Sequence, residues 1–197
     1  MTGAATGPHG LVVMGASLGG LAALPVILGA LPADFPLPIV VAQHRSAVSG
    51  FSALATVMQR GCSLVLREVF DKDRLLPGHV YLAPADYHVL VDGERLALST
   101  EARVQYARPS IDVLFMSAAE SFGARTIAVI LTGANRDGVV GARLIKQRGG
   151  VVLVQDPATA ESAVLPAAAL AAMAVDRVVP LAELPRLLVH YSAGGRR

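Results

Sequence analysis

The chain contains few cysteine, aromatic or charged residues. Its 197 residues include one cysteine, Cys62, and no tryptophan, and 16% of them are charged. A single cysteine excludes a disulfide-stapled scaffold and is typical of a protein in the reducing cytoplasm. Hydrophobic residues make up 53% of the chain, which excludes a disordered polypeptide. The length predicts one domain, at residues 10–191, between flexible tails at 1–9 and 192–197.

Charged residues are absent from the whole segment before Asp34, which raises the question of a membrane span. A spanning helix needs about 20 consecutive apolar residues, but glycines and prolines interrupt this segment repeatedly. The start of the chain also lacks the basic segment of a secretory signal. The pattern instead predicts a buried strand at 11–14, a turn at 15–20 and a helix from Leu21, which Pro25 should delay or bend. We therefore expect no membrane insertion.

Basic residues do not gather into a stripe. The net charge is +2, and the 17 basic residues, two of which are lysines, are scattered along the chain. Domains that bind nucleic acid usually cluster such charge on one face. The sequence therefore indicates no nucleic-acid partner.

Short apolar runs rich in β-branched residues recur along the chain, at residues 38–42, 126–131 and 151–154, and a further strand is predicted at residues 79–82, after the turn Pro77-Gly78. Runs of this kind, without polar alternation, are typical of parallel strands covered on both faces. Segments with helical character occur at residues 49–60, 111–122, 139–148 and 162–174. An Asp92-Gly93 pair between two further apolar runs predicts an antiparallel hairpin. The expected fold is α/β: a doubly wound, mainly parallel sheet in a three-layer α/β/α sandwich with an added antiparallel hairpin.

The turn after the first strand, Gly15-Ala16-Ser17-Leu18-Gly19-Gly20, carries the first chemical signal. A dinucleotide fingerprint requires glycine where Ser17 stands, so the fingerprint fails at its most demanding position. The segment matches a nucleophile elbow, Gly-x-Ser-x-Gly, in which a tight strand-to-helix turn lifts the serine hydroxyl above the sheet. The simpler alternative is that Ser17 caps the helix and the glycines only permit the turn. The pentapeptide alone leaves both alternatives open.

A nucleophilic serine needs a base, and His44 is the best placed of the five histidines. It follows the second predicted strand, and the carboxyl ends of parallel strands share one edge of a sheet, so we expect it beside Ser17. His88, at the hairpin, is the second candidate. Asp137 follows a third predicted strand at the same edge and would orient the imidazole. Taken singly, Asp137 would by default be interpreted as the N-cap of the next helix, and His44 equally well as a surface loop residue.

Beyond this constellation, the sequence resembles the catalytic domain of the CheB family, the chemotaxis protein-glutamate methylesterases, from about residue 11 to residue 191. The motifs that carry the resemblance occur in the family's order: Gly-Ala-Ser17-Leu-Gly-Gly, Ala-Gln43-His44, Leu-Pro-Gly78-His-Val-Tyr-Leu-Ala-Pro84, Arg108-Pro109-Ser110-Ile-Asp112-Val-Leu-Phe115, Leu-Thr-Gly133 through Asp137-Gly138, and Gln155-Asp156-Pro.

The resemblance implies an activity and a site. Ser17, His44 and Asp137 are expected to form a catalytic triad. The implied reaction is hydrolysis of glutamate γ-methyl esters on the cytoplasmic helices of chemoreceptors, with release of methanol and, in some members, deamidation of glutamine. No metal or organic cofactor is expected, and the expected location is the cytoplasm.

The sequence also departs from the family's usual pattern. Leu18 stands where the family often has threonine, Arg45-Ser46 replaces the usual Met-Pro, and the loop before the aspartate reads Ala-Asn-Arg-Asp137-Gly rather than Met-Gly-Asn-Asp-Gly. Leu18 would narrow the mouth of the pocket, and the change at Arg45-Ser46 concerns substrate range rather than the chemistry. Arg136, beside the expected triad, is expected to be solvated, with a contact to acidic receptor groups as the alternative. About ten residues precede the first strand, so the family's usual receiver domain is not expected in this chain. Two other functions stay open: a phosphate- or nucleotide-binding module that uses the helix start after Gly19, and a catalytically inactive scaffold of the same fold.

Overall fold

The computed structural model describes residues 10–45 and 53–195. Within these ranges the strands are β1 (Leu11–Ala16), β2 (Ile39–Gln43), β3 (Val65–Glu68), β4 (His79–Leu82), β5 (His88–Asp92), β6 (Arg95–Ser99), β7 (Thr126–Ile130), β8 (Val151–Gln155) and β9 (Arg177–Val179). The α-helices are α1 (Gly20–Gly29), α2 (Ala53–Gln59), α3 (Ile111–Phe122), α4 (Val139–Gln147), α5 (Val164–Ala172) and α6 (Leu184–Ser192).

Seven strands form one parallel sheet in the order β3-β4-β2-β1-β7-β8-β9. The chain adds β2 and β4 on one side of β1, and β7 and β8 on the other, so the sheet is doubly wound. Strands β1, β2, β7 and β8 are buried along their whole length, which explains why their sequences lack polar alternation. Strands β5 and β6 form the separate antiparallel hairpin, joined through Gly93 and Glu94 at the predicted place.

Helices cover both faces of the large sheet. Val12 and Met14 of β1 belong to a core that includes residues of α1 and α6, whereas Leu11 and Val13 belong to a second core with residues of α3, α4 and α5. Buried side chains of the hairpin join the second core. The alternate residues of one strand thus pack on opposite faces, and the predicted α/β/α sandwich with an added hairpin is confirmed.

Pro25 does not delay the first helix. Helix α1 begins at Gly20 and continues to Gly29 with Pro25 inside it, so the expectation of a late start is wrong. A proline at this position removes one backbone donor from the helix. Leu24, Ile27 and Leu28 are fully buried, and their burial offsets the lost hydrogen bond.

Three elements lie outside the sequence predictions: β3, β9 and α6. Strands β3 and β9 are the two edges of the sheet and keep exposed residues, so neither forms a long apolar run. Helix α6 ends at Ser192, one residue inside the segment expected to be a tail. Residues 1–9 and 196–197, and residues 49–52 of the predicted second helix, lie outside the described residues. The flexible tails therefore stay a prediction.

Within the uncharged segment before Asp34, residues 11–29 form β1, the following turn and α1. Over the part of the chain that the structure describes, every helix is too short or too polar to cross a membrane.

The strand order places three loops next to one another. Strand β1 lies between β2 and β7, and all three run in the same direction. Their carboxyl ends therefore meet at one edge, and the sheet changes winding direction at β1. Ligand sites of open α/β sheets lie at such a switch point.

Candidate active site

The turn that follows β1 is a tight elbow. The backbone N–H of Ser17 donates to the carbonyl of Thr132 at 3.0 Å, and the Ser17 carbonyl accepts from the N–H of Gly20 at 2.9 Å. Gly19 has a φ of 84° and is the N-cap of α1, which has no side-chain capping bond. A Cβ at Gly19 would also lie 2.7 Å from the Cβ of Glu161. The alternative in which Ser17 caps the helix is therefore wrong.

His44 starts the loop after β2 and lies beside Ser17. Its backbone N–H donates to the carbonyl of Ala16 at 3.0 Å. Its Nδ1 lies 3.1 Å from Ser17 Oγ, and its Nε2 lies 2.7 Å from Asp137 Oδ2. An ionised carboxylate can only accept, so Nε2 carries the hydrogen and Nδ1 keeps the lone pair that faces Ser17. The two ring nitrogens are used in the reverse order from the serine-protease template, in which Nε2 faces the serine.

Asp137 is fully buried, and four donors surround its carboxylate. Oδ2 accepts from His44 Nε2 and from the backbone N–H of Ile111, both at 2.7 Å. Oδ1 accepts from Ser110 Oγ at 2.8 Å and from the backbone N–H of Asp112 at 2.9 Å. Burial alone would raise the pKa of Asp137, but these hydrogen bonds, led by the one from His44, bring the pKa below its ordinary value. The carboxylate is therefore ionised at neutral pH.

Three of these donors belong to the start of α3 rather than to the helix that Asp137 precedes. Helix α4 has Gly138 as its N-cap and no side-chain capping bond, so the interpretation of Asp137 as the N-cap of α4 is wrong. Ser110 is the N-cap of α3, where its hydroxyl also accepts from the N–H of Val113. The positive end of the α3 dipole thus faces the Asp137 carboxylate.

Gln43, the last residue of β2, holds the backbone on which the site is built. Its Nε2 donates to the carbonyl of Ser17 at 2.9 Å and to the carbonyl of His44 at 2.8 Å. The side chain is buried, so these bonds lie in a low-dielectric setting. In the sequence, the one signal for this role of Gln43 is its place in the Ala-Gln43-His44 motif.

A cavity of about 530 Å³ opens beside His44. This volume lies within the range of small-ligand pockets, about 300–1,000 Å³. Arg45 pairs with Glu68 at the cavity, while Arg103 and Arg108 pair with Asp86. Hydrogen bonds from Arg108, and more weakly from Arg103, lower the pKa of Asp86. The lining residues are His44, Arg45, Arg103, Gln105, Tyr106, Ala107, Arg108, Pro109 and Asn135.

The second histidine candidate, His88, does not face Ser17. It is buried, its Nδ1 accepts from the backbone N–H of Ser110 at 3.2 Å, and its Nε2 lies 3.1 Å from the carbonyl of Ala102. His88 therefore supports the start of α3. His9 lies outside the described residues. Among the residues described, no group of three or more His, Cys, Asp and Glu side chains is arranged to hold a metal ion.

Curated relatives match nearly the whole described chain. A putative protein-glutamate methylesterase/protein-glutamine glutaminase of Leptospira interrogans is 41% identical over 179 residues, which cover 90% of this chain and 92% of that one. Protein-glutamate methylesterase/protein-glutamine glutaminase 2 of Anaeromyxobacter dehalogenans is 47% identical over 180 residues, which cover 90% of this chain and 52% of that one. This chain thus spans about half the length of the Anaeromyxobacter relative.

The fold is similar to a solved structure of the same kind. The crystal structure of the Thermotoga maritima CheB methylesterase catalytic domain aligns with a TM-score of 0.88 at 34% sequence identity, covering 93% of this chain and 98% of that one. The family model for CheB methylesterase matches residues 12–188. The chain therefore belongs to the CheB methylesterase family.

Proposed function

We propose that this chain hydrolyses the γ-methyl esters of protein glutamates with Ser17 as nucleophile, His44 as base and Asp137 as the orienting carboxylate. The observation that carries the proposal is the continuous chain of hydrogen bonds from Ser17 Oγ through both ring nitrogens of His44 to Asp137 Oδ2. A phosphate-binding module would use the start of α1 but would leave this chain of bonds without a role.

In the first half-reaction Ser17 Oγ attacks the ester carbonyl carbon, and the serine proton moves to Nδ1 of His44. The ring then carries a positive charge, which the ionised Asp137 stabilises through Nε2. The backbone N–H groups of Leu18 and Gly19 follow the nucleophile directly and donate to no acceptor within the described residues. They are suited to bind the oxyanion of the tetrahedral intermediate.

Collapse of this intermediate completes the acyl transfer. His44 returns its proton to the methoxy oxygen as the carbon–oxygen bond breaks, and methanol leaves. Water then gives a proton to His44 while its oxygen attacks the acyl carbon. His44 passes that proton to Ser17 Oγ as the acyl–Oγ bond breaks, which releases the glutamate side chain and restores Ser17.

The proposed substrate is the cytoplasmic helical region of a methylated chemoreceptor, and the proposed location is the cytoplasm. The names of the Leptospira and Anaeromyxobacter relatives pair methylesterase with glutaminase. A glutamine amide would form the same intermediate with ammonia as the leaving group, so deamidation belongs to the proposed chemistry. Burial raises the pKa of the lone Cys62 thiol, which keeps it protonated and inert.

The proposal is tested by methanol release from a methylated receptor fragment. The wild type should release methanol, and Ser17→Ala should lose the activity while unfolding as cooperatively as the wild type. Ser99→Ala, a serine of the hairpin, serves as the matched control and should keep full activity. Equal rates for wild type and Ser17→Ala would remove Ser17 as the nucleophile. No release by the folded wild type would favour the inactive scaffold.

A further inference from the structure

Asn135, in the loop between β7 and α4, is attached to the triad at both ends of its side-chain amide. Its Oδ1 accepts from the backbone N–H of Asp137 at 3.2 Å, and its Nδ2 lies 3.3 Å from Nδ1 of His44. Because the oxygen faces an N–H donor, the NH₂ group must be the end that faces the imidazole. The orientation of the amide is therefore set by the triad itself.

Two donors compete for one lone pair at this point. Nδ1 of His44 has a single lone pair in the ring plane, and both Ser17 Oγ, at 3.1 Å, and Asn135 Nδ2, at 3.3 Å, face it. Both distances are longer than the optimum for such hydrogen bonds, about 2.7–3.0 Å, as expected for a shared acceptor. The bond from Asn135 is thus one that the site can give up.

The same amide has a second N–H to offer. Among the described residues, Nδ2 of Asn135 has no partner other than His44, and the half-buried side chain lines the cavity that opens beside His44. Because Ser17 Oγ and Asn135 Nδ2 both face Nδ1 of His44, this N–H lies close to the place where a substrate carbonyl would react with Ser17.

We propose that Asn135 is a catalytic residue whose side-chain amide donates to the substrate carbonyl oxygen as that oxygen becomes an oxyanion. The inference rests on the proposed ester hydrolysis and adds a side-chain donor to the backbone N–H groups of Leu18 and Gly19. The bond from Ser17 Oγ to the carbonyl carbon forms, the carbonyl π electrons move to the oxygen, and the serine proton moves to His44 Nδ1.

The order of events makes this donor selective for the transition state. Once Nδ1 holds the proton it has no lone pair for Asn135, and an amide N–H facing a positive ring is unfavourable. The same step places a full negative charge on the substrate oxygen. Asn135 thus loses the lone pair of His44 Nδ1 as its acceptor at the moment when the substrate oxygen becomes a stronger one. Its hydrogen bond to that oxygen therefore increases kcat rather than substrate affinity.

Asn135→Ala and Asn135→Asp test the proposal in steady-state and burst kinetics with a methyl ester substrate. Loss of one oxyanion donor typically lowers kcat about 100- to 1,000-fold. Because backbone donors remain, we expect a loss of about 10- to 100-fold for Asn135→Ala, with KM nearly unchanged. Asn135→Asp keeps the shape, cannot donate and adds negative charge, so it should lose more. Arg136→Ala, an exposed neighbour in the same loop, is the control and should match the wild type.

A second readout separates this inference from the proposed function. A fluorophosphonate reacts with an activated serine through an intermediate that also places negative charge on an oxygen. Labelling of Ser17 should slow in Asn135→Ala and Asn135→Asp to about the extent of the kcat loss, whatever the natural substrate is.

Unchanged labelling and kcat in both variants, or a change in KM alone, would overturn the role of Asn135 even where the wild type releases methanol. Slower labelling with no methanol release by the wild type would instead overturn the proposed substrate. Thermal melts establish whether each variant is folded. If Asn135→Ala does not fold, the near-isosteric Asn135→Asp variant provides the test.

Discussion

The hydroxyl of Ser110 donates to Oδ1 of Asp137 across 2.8 Å, in a part of the protein where both side chains are fully buried. Ser110 is also the N-cap of α3, so one hydroxyl accepts from the helix and donates to the carboxylate. The carboxylate that accepts the hydrogen bond from His44 is thereby held by the start of a helix that precedes it by more than twenty residues in the chain.

Ser110→Ala should reduce both activity and stability. The variant removes one of the four donors to Asp137 and the cap of α3, and loss of a serine N-cap costs about 0.5–2 kcal/mol. We expect kcat to fall about tenfold, since Asp137 keeps its other donors, and we expect KM to change little. Steady-state kinetics with urea unfolding measures both effects. Ser121→Ala, on the far end of the same helix, is the control, because its hydroxyl donates to the carbonyl of Val91 instead. Wild-type kcat in a folded Ser110→Ala protein would show that the bond is only structural.

Asp137→Asn should lose most of its activity. In the variant, the NH₂ group of the asparagine would face donors that surround a carboxylate in the wild type. The neutral amide can neither keep the hydrogen of His44 on Nε2 nor stabilise the protonated His44 ring. Substitutions of this kind in a catalytic triad reduce kcat about 10⁴-fold. Methanol release under single-turnover conditions measures the loss. A variant within tenfold of the wild type would contradict the assigned role.

The stability difference between the wild type and Asp137→Asn should depend on pH on the acid side. The pKa of Asp137 is lower in the folded protein than in an unfolded chain, where it is about 3.9. Its stabilising contribution is therefore fully present above about pH 4 and is lost as the pH falls through the folded-state pKa. Urea unfolding between pH 7 and the lowest pH at which the protein stays folded should show the difference shrinking. A difference that grows on acidification would show that the sign is reversed.

Asp112→Asn should show the opposite pH dependence. Burial, followed by repulsion from Asp137, raises the pKa of Asp112 despite accepted hydrogen bonds such as the one from the N–H of Gly141. The folded state therefore prefers the protonated form, and the contribution of Asp112 is fully present below about pH 3.9 and is lost as the pH rises through the folded-state pKa. Relative to Asp112→Asn, the wild type should lose stability between pH 4 and neutrality. A wild-type advantage that increases over this range in urea unfolding would refute the prediction.

Gly20→Ala should damage the site through Gln43. A Cβ at Gly20 would lie 1.8 Å from Gln43 Oε1 and 2.7 Å from the Cβ of Ala16, so Gln43 would have to move. Its bonds to the Ser17 and His44 carbonyls would then break, and overpacking of this kind costs about 1–3 kcal/mol. We expect a lower melting temperature together with a lower kcat. Gly61→Ala is the matched control, because a Cβ there meets no atom within 4 Å. If Gly20→Ala and Gly61→Ala lowered kcat and the melting temperature to a similar extent, displacement of Gln43 would not explain the loss.

Much of the fold follows from local patterns because a strand buried on both faces is apolar along most of its length. Strands β1, β2, β7 and β8 are of this kind and are predicted from their runs. The edge strands β3 and β9 keep exposed residues, and their short sequences contain no run that stands out. Pro25 shows the limit of local rules, since the tertiary packing of α1 outweighs the cost of a proline in its interior.

By itself, the sequence determined the elbow, the three strand ends that meet at one edge, and the three polar residues that follow them. These are properties of neighbouring residues: small side chains around Ser17, and His44 and Asp137 just past buried strands. Only the tertiary structure decided what holds these residues in place. Ser110 and Ile111 reach Asp137 across 27 and 26 positions of the chain, and Gln43 reaches the Ser17 carbonyl across 26. A buried carboxylate or carbonyl takes its donors from whichever elements the core packs against it, and no local pattern specifies that choice.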